Sequence, residues 1–407
     1  MSVRALPGLG CLLGIPLLAL GFAGRGTTES EARLGNDPAI APYVTYLREH
    51  PVGAKQFILD LFEKYDLVVL AERDHGETTQ WEFIFDLIRD PAFSSRVGYL
   101  FTEYGSVDQQ PDLEAFLNAD HLEDSRILAL LRDFILWPEG WDNNNLFEFM
   151  RKFYAWNRSV PAERRIAWYF SDIPWKWTGM TRAEYKAQTD LAQAGRDEIM
   201  ALRIRYRFEE ILRSPATRKK ALVIMNTRHA FKVPLKKGDA FFYDNLGSAL
   251  VKWQPTAGRT AFVMMNYIHS FRPGAGGISQ APVHDGKWDA AFAACGNAPR
   301  GVSFHDSPFG RDAFDYLGFE PLKVQYRDVF DGMVFYQPLE KHRLHNDIPG
   351  FHDDAFKAVV LRRAELNNSV DAMKELFKER QEHPEKYGLR PAYDQKTLQP
   401  ISKWLER

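Results

Sequence analysis

The chain has 407 residues, with 52 Lys and Arg against 54 Asp and Glu, 45% hydrophobic residues and 14% aromatics. That length predicts one large α/β domain, alone or with a smaller subdomain, and the 10 Trp, 16 Tyr and 29 Phe supply a sizeable core that excludes global disorder. Near-neutral charge argues against a nucleic-acid binder, which needs a basic stripe, and no collagenous, coiled-coil or low-complexity pattern is present.

In chain order, Arg4 precedes the apolar run of residues 12–20, and Gly21-Phe22-Ala23 follows. A charged start, a short apolar stretch and small residues predict a secretory leader over residues 1–23. The run is too short and too broken by Gly14 and Pro16 for a comfortable membrane span. Residues 24–36 are polar and predict a mobile linker. No later run is long and apolar enough to cross a bilayer, so the body reads as periplasmic or secreted. Cys11 falls in the leader, which leaves Cys295 among small residues, expected to be a small buried thiol outside any disulfide.

Residues 67–71 (Leu-Val-Val-Leu-Ala) form a short continuous apolar run, as expected of a strand buried on both faces. A loop from Glu72 to Gly76 follows. A helix then starts near Thr79, whose spacing to Glu82 matches a capping box, carries the stripe Trp81, Ile84, Phe85 and Ile88, and stops at Pro91. A second strand spans 97–102 and closes at Glu103. Residues 112–157 read as helical, most clearly where Leu146, Phe149, Met150 and Phe153 repeat at i, i+3, i+4 and i+7. The third strand spans 165–170. A charged helix runs from Thr181, in a capping box with Glu184, to about Arg213. Strands follow at 221–225, 260–265 and 332–336, and the chain beyond Pro349 reads as charged helix. This alternation predicts an α/β fold, a mostly parallel central sheet flanked by helices, with a helical insertion, a domain over 37–349 and a helical C-terminal extension over 350–407.

Polar chemistry recurs where strands end. The first strand runs into Glu72, Asp74 and His75, the second into Glu103, the third into Asp172, the fourth into Asn226, Arg228 and His229, and the fifth into Asn266 and His269. In a parallel sheet these ends share one edge, where open α/β folds bind ligands. An imidazole is suited to taking a proton from water near neutral pH, and a carboxylate beside it fixes its tautomer and stabilises its cation. His75 is the candidate base, with Glu72 and Glu103 as its carboxylates. Gly76 offers a positive backbone angle, and the helix after it offers N-terminal amides to the site. His229 and Arg228 are placed to meet a developing negative charge. The plainer readings are a polar loop for Glu72-x-x-His75, a structural histidine for His229 and a turn cap for Asp172. Arg203, Arg205 and Arg207 read as a solvated helix face.

The stretch from Val69 to Gly76 resembles the Gly-Glu-x-x-His-Gly signature of erythromycin esterase-like proteins, within a wider superfamily that holds the ChaN haem-uptake proteins and the Tiki proteases. The likeness extends to Leu100-Phe101-Thr102-Glu103, residues 141–157, Tyr169-Phe170-Ser171-Asp172, Asn226-Thr227-Arg228-His229 and residues 331–335, and covers roughly residues 65–340. It implies hydrolysis of an ester or lactone by activated water, without a covalent intermediate. His75 would be the base, assisted by Glu103 and oriented by Glu72. His229 would contact the substrate or its oxyanion, and Arg228, Asp172 and Asn226 would bind substrate. No cofactor or metal is implied. The expected partner is a small-molecule ester, with no nucleic acid and no stable membrane span after leader removal. Trp137, Trp141, Trp168, Trp175 and Trp177 are either core or an aromatic wall for an apolar substrate. Two other readings stay open: a metal-dependent hydrolase using Glu72, His75, Glu103, Asp172 and His229 as ligands, and a non-catalytic haem or small-molecule binder offering Tyr104 or His75.

Overall fold

The computed structural model describes residues 36–237, 241–243, 245–271, 279–316 and 324–407, together with Arg33. The leader read at 1–23 and nearly all of the linker read at 24–36 lie outside the described residues. No helix among the described residues is long and apolar enough to cross a membrane.

The central sheet has seven strands: β1 Leu67–Glu72, β2 Val97–Ser106, β3 Ala167–Asp172, β4 Lys220–Asn226, β5 Thr260–Met265, β6 Arg300–Ser303 and β7 Gly332–Phe335. Their order is β6-β7-β5-β1-β4-β2-β3. All neighbours are parallel except β6, which runs antiparallel to β7 at the edge. The α/β expectation therefore holds. The strand absent from the sequence reading is β6, whose four residues carry only one large apolar side chain, Val302.

The period of two in these strands divides the core. Val68, Leu70, Leu222, Ile224 and Val263 face one side. They pack there against α1 Thr78–Ile88 and α2 Asn144–Ser159, whose predicted stripes are buried except for Phe85, which is partly exposed. Val69, Ala71, Val223, Met225 and Met264 face the other. That side is covered by α3 Arg182–Arg213, α4 Leu246–Lys252 and α5 Lys287–Ala293. Helices on both faces leave the strand ends as the accessible rim, and β1 and β4 stay in register to Glu72↔Asn226.

Several local expectations change. The capping box at Thr181 and Glu184 forms as predicted. Helix α1 instead starts one residue before Thr79, and its cap is Glu77, which accepts from the Thr79 and Gln80 amides. A carboxylate capping an N-terminus gains from both the free N–H groups and the helix dipole, so Glu77 outcompetes the Thr79 and Glu82 pairing. Helix α1 ends at Ile88, and Pro91 opens a short helix of its own, Pro91–Ser94. Residues 112–157 divide into Gln110–Asn118, Asp124–Arg132 and α2. Beyond residue 349 lie α6 Asp354–Ala364, α7 Val370–Glu382 and α8 Gln395–Leu405.

Candidate active site

Two carboxylate–histidine pairs sit at the ends of the central strands. The first is local. His75 Nδ1 is hydrogen-bonded to Glu72 Oε1 across the turn that follows β1. The Tyr104 hydroxyl donates to the other Glu72 oxygen at 3.2 Å and to the His75 carbonyl, which also accepts from Asn145 Nδ2 at 2.6 Å. The imidazole lies against Trp141, with ring centroids 4.5 Å apart, and Trp141 in turn stacks on Phe134 at 3.9 Å. The His75 side chain is 28% exposed while that of Glu72 is 1% exposed. Among the described residues the His75 ring is hydrogen-bonded through Nδ1 alone, so one nitrogen is anchored and Nε2 is uncommitted.

Burial lifts the Glu72 carboxyl above its usual 4.5 against the pull of His75. Burial works to lower His75, but the Glu72 charge, with smaller help from Glu103, outweighs it and leaves the imidazole above 6.5. Burial first, and the Glu72 charge second, hold the Tyr104 phenol well above 10, so it remains a hydrogen-bond donor. The Tyr104 hydroxyl is committed to Glu72 and to the His75 carbonyl.

The second pair is built from distant segments. Glu103 Oε1 accepts from Arg196 Nη2 at 2.9 Å and lies 3.4 Å from His229 Nε2, and Glu103 Oε2 accepts the Asn226 amide at 2.8 Å. Arg196 also makes a two-pronged contact with Asp172, Nε to Oδ1 at 2.8 Å and Nη2 to Oδ2 at 2.6 Å. On its far side His229 bonds through Nδ1 to Asp197 Oδ1 at 2.6 Å, and Asp197 also accepts the Leu246 amide. Burial would raise Glu103 and lower His229. Instead the charges of His229 and Arg196 hold Glu103 well below 4.5, while Asp197 and Glu103 push His229 up to about 9. Asp172 goes the other way, because burial outweighs Arg196 and raises it.

Glu72, His75, Glu103, Asp172, Asn226 and His229 thus all stand at one rim, though in different capacities. Asp172 is buried, and both of its oxygens have protein partners, Arg196 and the Ile173 amide, the second being the turn-capping role open from sequence. Asn226 spends its side chain on the Arg73 carbonyl at 2.9 Å. His229 is 4% exposed and sits behind Glu103 rather than at the surface. Arg228 is exposed, and only its backbone carbonyl, an acceptor for Asn245, is tied to this region. His269 pairs with Asp315 at 3.1 Å in a separate cluster, and Asn266 holds the Gln337 carbonyl. Among the described residues no three His, Cys, Asp or Glu side chains are arranged around a common metal position.

Two expectations for the turn are corrected. Gly76 is absent from the positive-φ glycines, so its requirement is spatial. A Cβ there would lie 2.7 Å from Asn346 Nδ2 and 3.3 Å from Asn143 Oδ1. The amides at the start of α1 are not open to a ligand, since Glu77 takes those of Thr79 and Gln80. Of the tryptophans, Trp168, Trp175 and Trp177 are core, Trp137 is half-exposed, and Trp141 touches His75. The principal residues missing from the sequence reading are Arg196 and Asp197. They continue the buried stripe of Met200, Ala201 and Ile204 one turn toward the N-terminus of α3. Charged residues on a buried helix face were the available signal.

No protein-family model matches the sequence, and no curated protein matches it. Among solved structures, the chain is similar to a mutant of the erythromycin esterase EreC in its open conformation. That match has 11% identity over 72% of this chain and 94% of that one, with a TM-score of 0.47. It is also similar to a Bacillus cereus protein, at 9% identity over 74% and 97% of the two chains with a TM-score of 0.45. A succinoglycan biosynthesis protein gives 9% identity over 69% and 90%, with a TM-score of 0.43. These likenesses are of overall fold.

Proposed function

We propose that the chain is a hydrolase of small esters or lactones, in which His75 Nε2 takes a proton from the attacking water. The observation that carries this reading is the Glu72–His75 pair, anchored through Nδ1 and uncommitted at Nε2 in a partly exposed ring. With the Nδ1 proton donated to Glu72, Nε2 carries the lone pair, and the imidazolium formed on proton transfer is stabilised by the same carboxylate. Glu103 assists through its charge rather than by contact, as one of the groups that raise His75. Arg196, Asp197 and His229 keep that charge in place. Trp141 and Tyr104 give the ring an aromatic surround suited to an apolar acyl or alkyl group. The leader read at residues 1–23 puts the reaction outside the cytoplasm.

A panel of aryl esters and lactones, assayed with wild type and His75→Ala, tests the reading. The expected result is a loss of about 10²- to 10⁴-fold in kcat/KM with folding unchanged by circular dichroism. Because His75 is raised above 6.5, the base is available only above its folded pKa, so the rate should climb as pH rises through that value. Equal rates for the two proteins, or no turnover of any panel member by wild type, would remove the proposal.

A further inference from the structure

The turn that carries His75 does not stand on the sheet alone. The Gly76 carbonyl accepts the His345 amide at 3.2 Å, and Glu77 forms a bridge with Leu344 and accepts the Arg343 amide at 3.1 Å. The same short segment also binds the loop that holds Trp141. The His345 carbonyl accepts the Asn144 amide at 3.1 Å, and Asn346 Nδ2 donates to Asn143 Oδ1 at 2.6 Å. Residues 343–346 are therefore wedged between the two pieces of chain that meet at the imidazole. Asn346 touches both, since its Nδ2 is the atom a Cβ on Gly76 would meet.

The C-terminal extension fixes Asn346 in turn. Arg390 Nη2 donates to Asn346 Oδ1 at 3.0 Å, Arg380 Nη1 donates to its carbonyl at 3.0 Å, and its amide donates to the Tyr387 carbonyl at 2.7 Å. Arg380 also pairs with Asp142, the neighbour of Trp141, and lies 4.0 Å over the Tyr387 ring. Every polar group of Asn346, main chain and side chain, thus has a specified partner. Such an over-determined residue transmits position, and a displacement of about 1 Å at a reacting group is enough to cost on the order of 100-fold in rate.

We propose that Asn346, gripped by Arg380 and Arg390, is a positioning residue that clamps the His75 turn against the Trp141 loop, so that the C-terminal extension completes the reactive centre. The rate arm of its test rests on His75 being the base; the spectroscopic arm does not.

The experiment uses the full chain, labelled at histidine rings, with the His75 signal identified by its loss in His75→Ala. Asn346→Ala should move the His75 ring resonances, since the ring current of Trp141 shifts, and lower ester kcat about 10- to 100-fold with KM within about 2-fold. A cycle with Gly76→Ala adds a contact-specific reading. Gly76→Ala alone should lower kcat, and in the Asn346→Ala background its further effect should shrink, because the group it collides with is gone. If Asn346→Ala does not fold, Arg390→Gln on a half-buried arginine carries the ring-resonance and rate measurements, and unchanged resonances there would overturn the clamp. Unchanged His75 resonances together with additive effects in the cycle would overturn the clamp. If wild type cleaves no ester, the hydrolase reading fails alone, and the ring resonances still decide the clamp.

Discussion

His75 and His229 each present Nδ1 to a carboxylate, and their surroundings make them different chemical objects. His75 has one carboxylate, an aromatic neighbour and a partly exposed ring. His229 is held between Asp197 at 2.6 Å and Glu103 at 3.4 Å with almost no exposure. Its imidazole is pushed up to about 9, so at neutral pH it is a fixed cation. A base must titrate near the working pH and reach water, and a fixed cation need do neither. Two similar pairs thus divide into a reactive half around His75 and an electrostatic half around Arg196 and His229.

The largest effect expected from breaking this division comes from the electrostatic half. Arg196 is the shared partner of Glu103 and Asp172, both buried carboxylates. Arg196→Met would leave them facing one another without their cation. Breaking a buried ion pair by removing one member typically costs about 3–5 kcal/mol. Urea denaturation at pH 7 should show a loss of that order, carried by a lower midpoint with an unchanged slope. A loss below about 1 kcal/mol would mean that the cluster is not the electrostatic support described here.

Asp197→Asn should have a smaller effect, and one that depends on pH. His229 is raised when folded, so its contribution is complete below about pH 6.5 and fades as pH rises toward about 9. The whole contribution is at most on the order of 3 kcal/mol. In wild type, stability should therefore decline through this alkaline window. Asp197→Asn removes the largest charge raising His229, so the decline should end at lower pH and be smaller in total. Asp197 itself is lowered, so it stabilises above its unfolded value of 3.8 and loses that contribution as pH falls through its folded pKa. The variant should lose that acid-side slope too. Stability curves measured from about pH 2 to about pH 9.5 read both sides, and superimposable curves would contradict the assignment.

The difference between the halves also shows what the sequence makes legible. Strand ends are readable because a buried parallel strand is a run of apolar residues, and the first polar residue after it must lie at the rim. Glu72, Glu103, Asp172, Asn226 and His229 are all legible in this way. Arg196 and Asp197 lie inside a 32-residue helix dense with charges. There a solvated arginine and a buried one look alike until the apolar stripe is followed back past Met200. The role of Gly76 is not legible for a related reason, since the close approach from Asn346 is a long-range contact that no local pattern encodes. Strand β6 gives no such signal because a short edge strand needs little apolar sequence. Residues 343–346 carry no signal of their own in the sequence, and the extension that holds them reads only as charged helix, because hydrogen bonds to main-chain carbonyls leave no periodic trace.

Glu72→Gln is the mildest change and separates the halves most sharply. Glutamine keeps the shape and still accepts the Nδ1 proton through its amide oxygen, but it carries no charge. Burial alone lowers the His75 imidazole, and the Glu72 charge is the largest opposing influence, so its loss should bring the imidazole down. The rising limb of the rate profile should then move to lower pH. The plateau should fall as well, because the developing imidazolium loses its counter-charge. Stability should change little, since ionised Glu72 is itself disfavoured by burial and gives little net gain when folded. The alkaline decline set by His229 should stay where it is, because Asp197 and Glu103 control it. A rate profile and a stability curve on the same preparation make the comparison. If both moved together, the two histidines would be one coupled system, and the division between a reactive half and an electrostatic half would have to be abandoned.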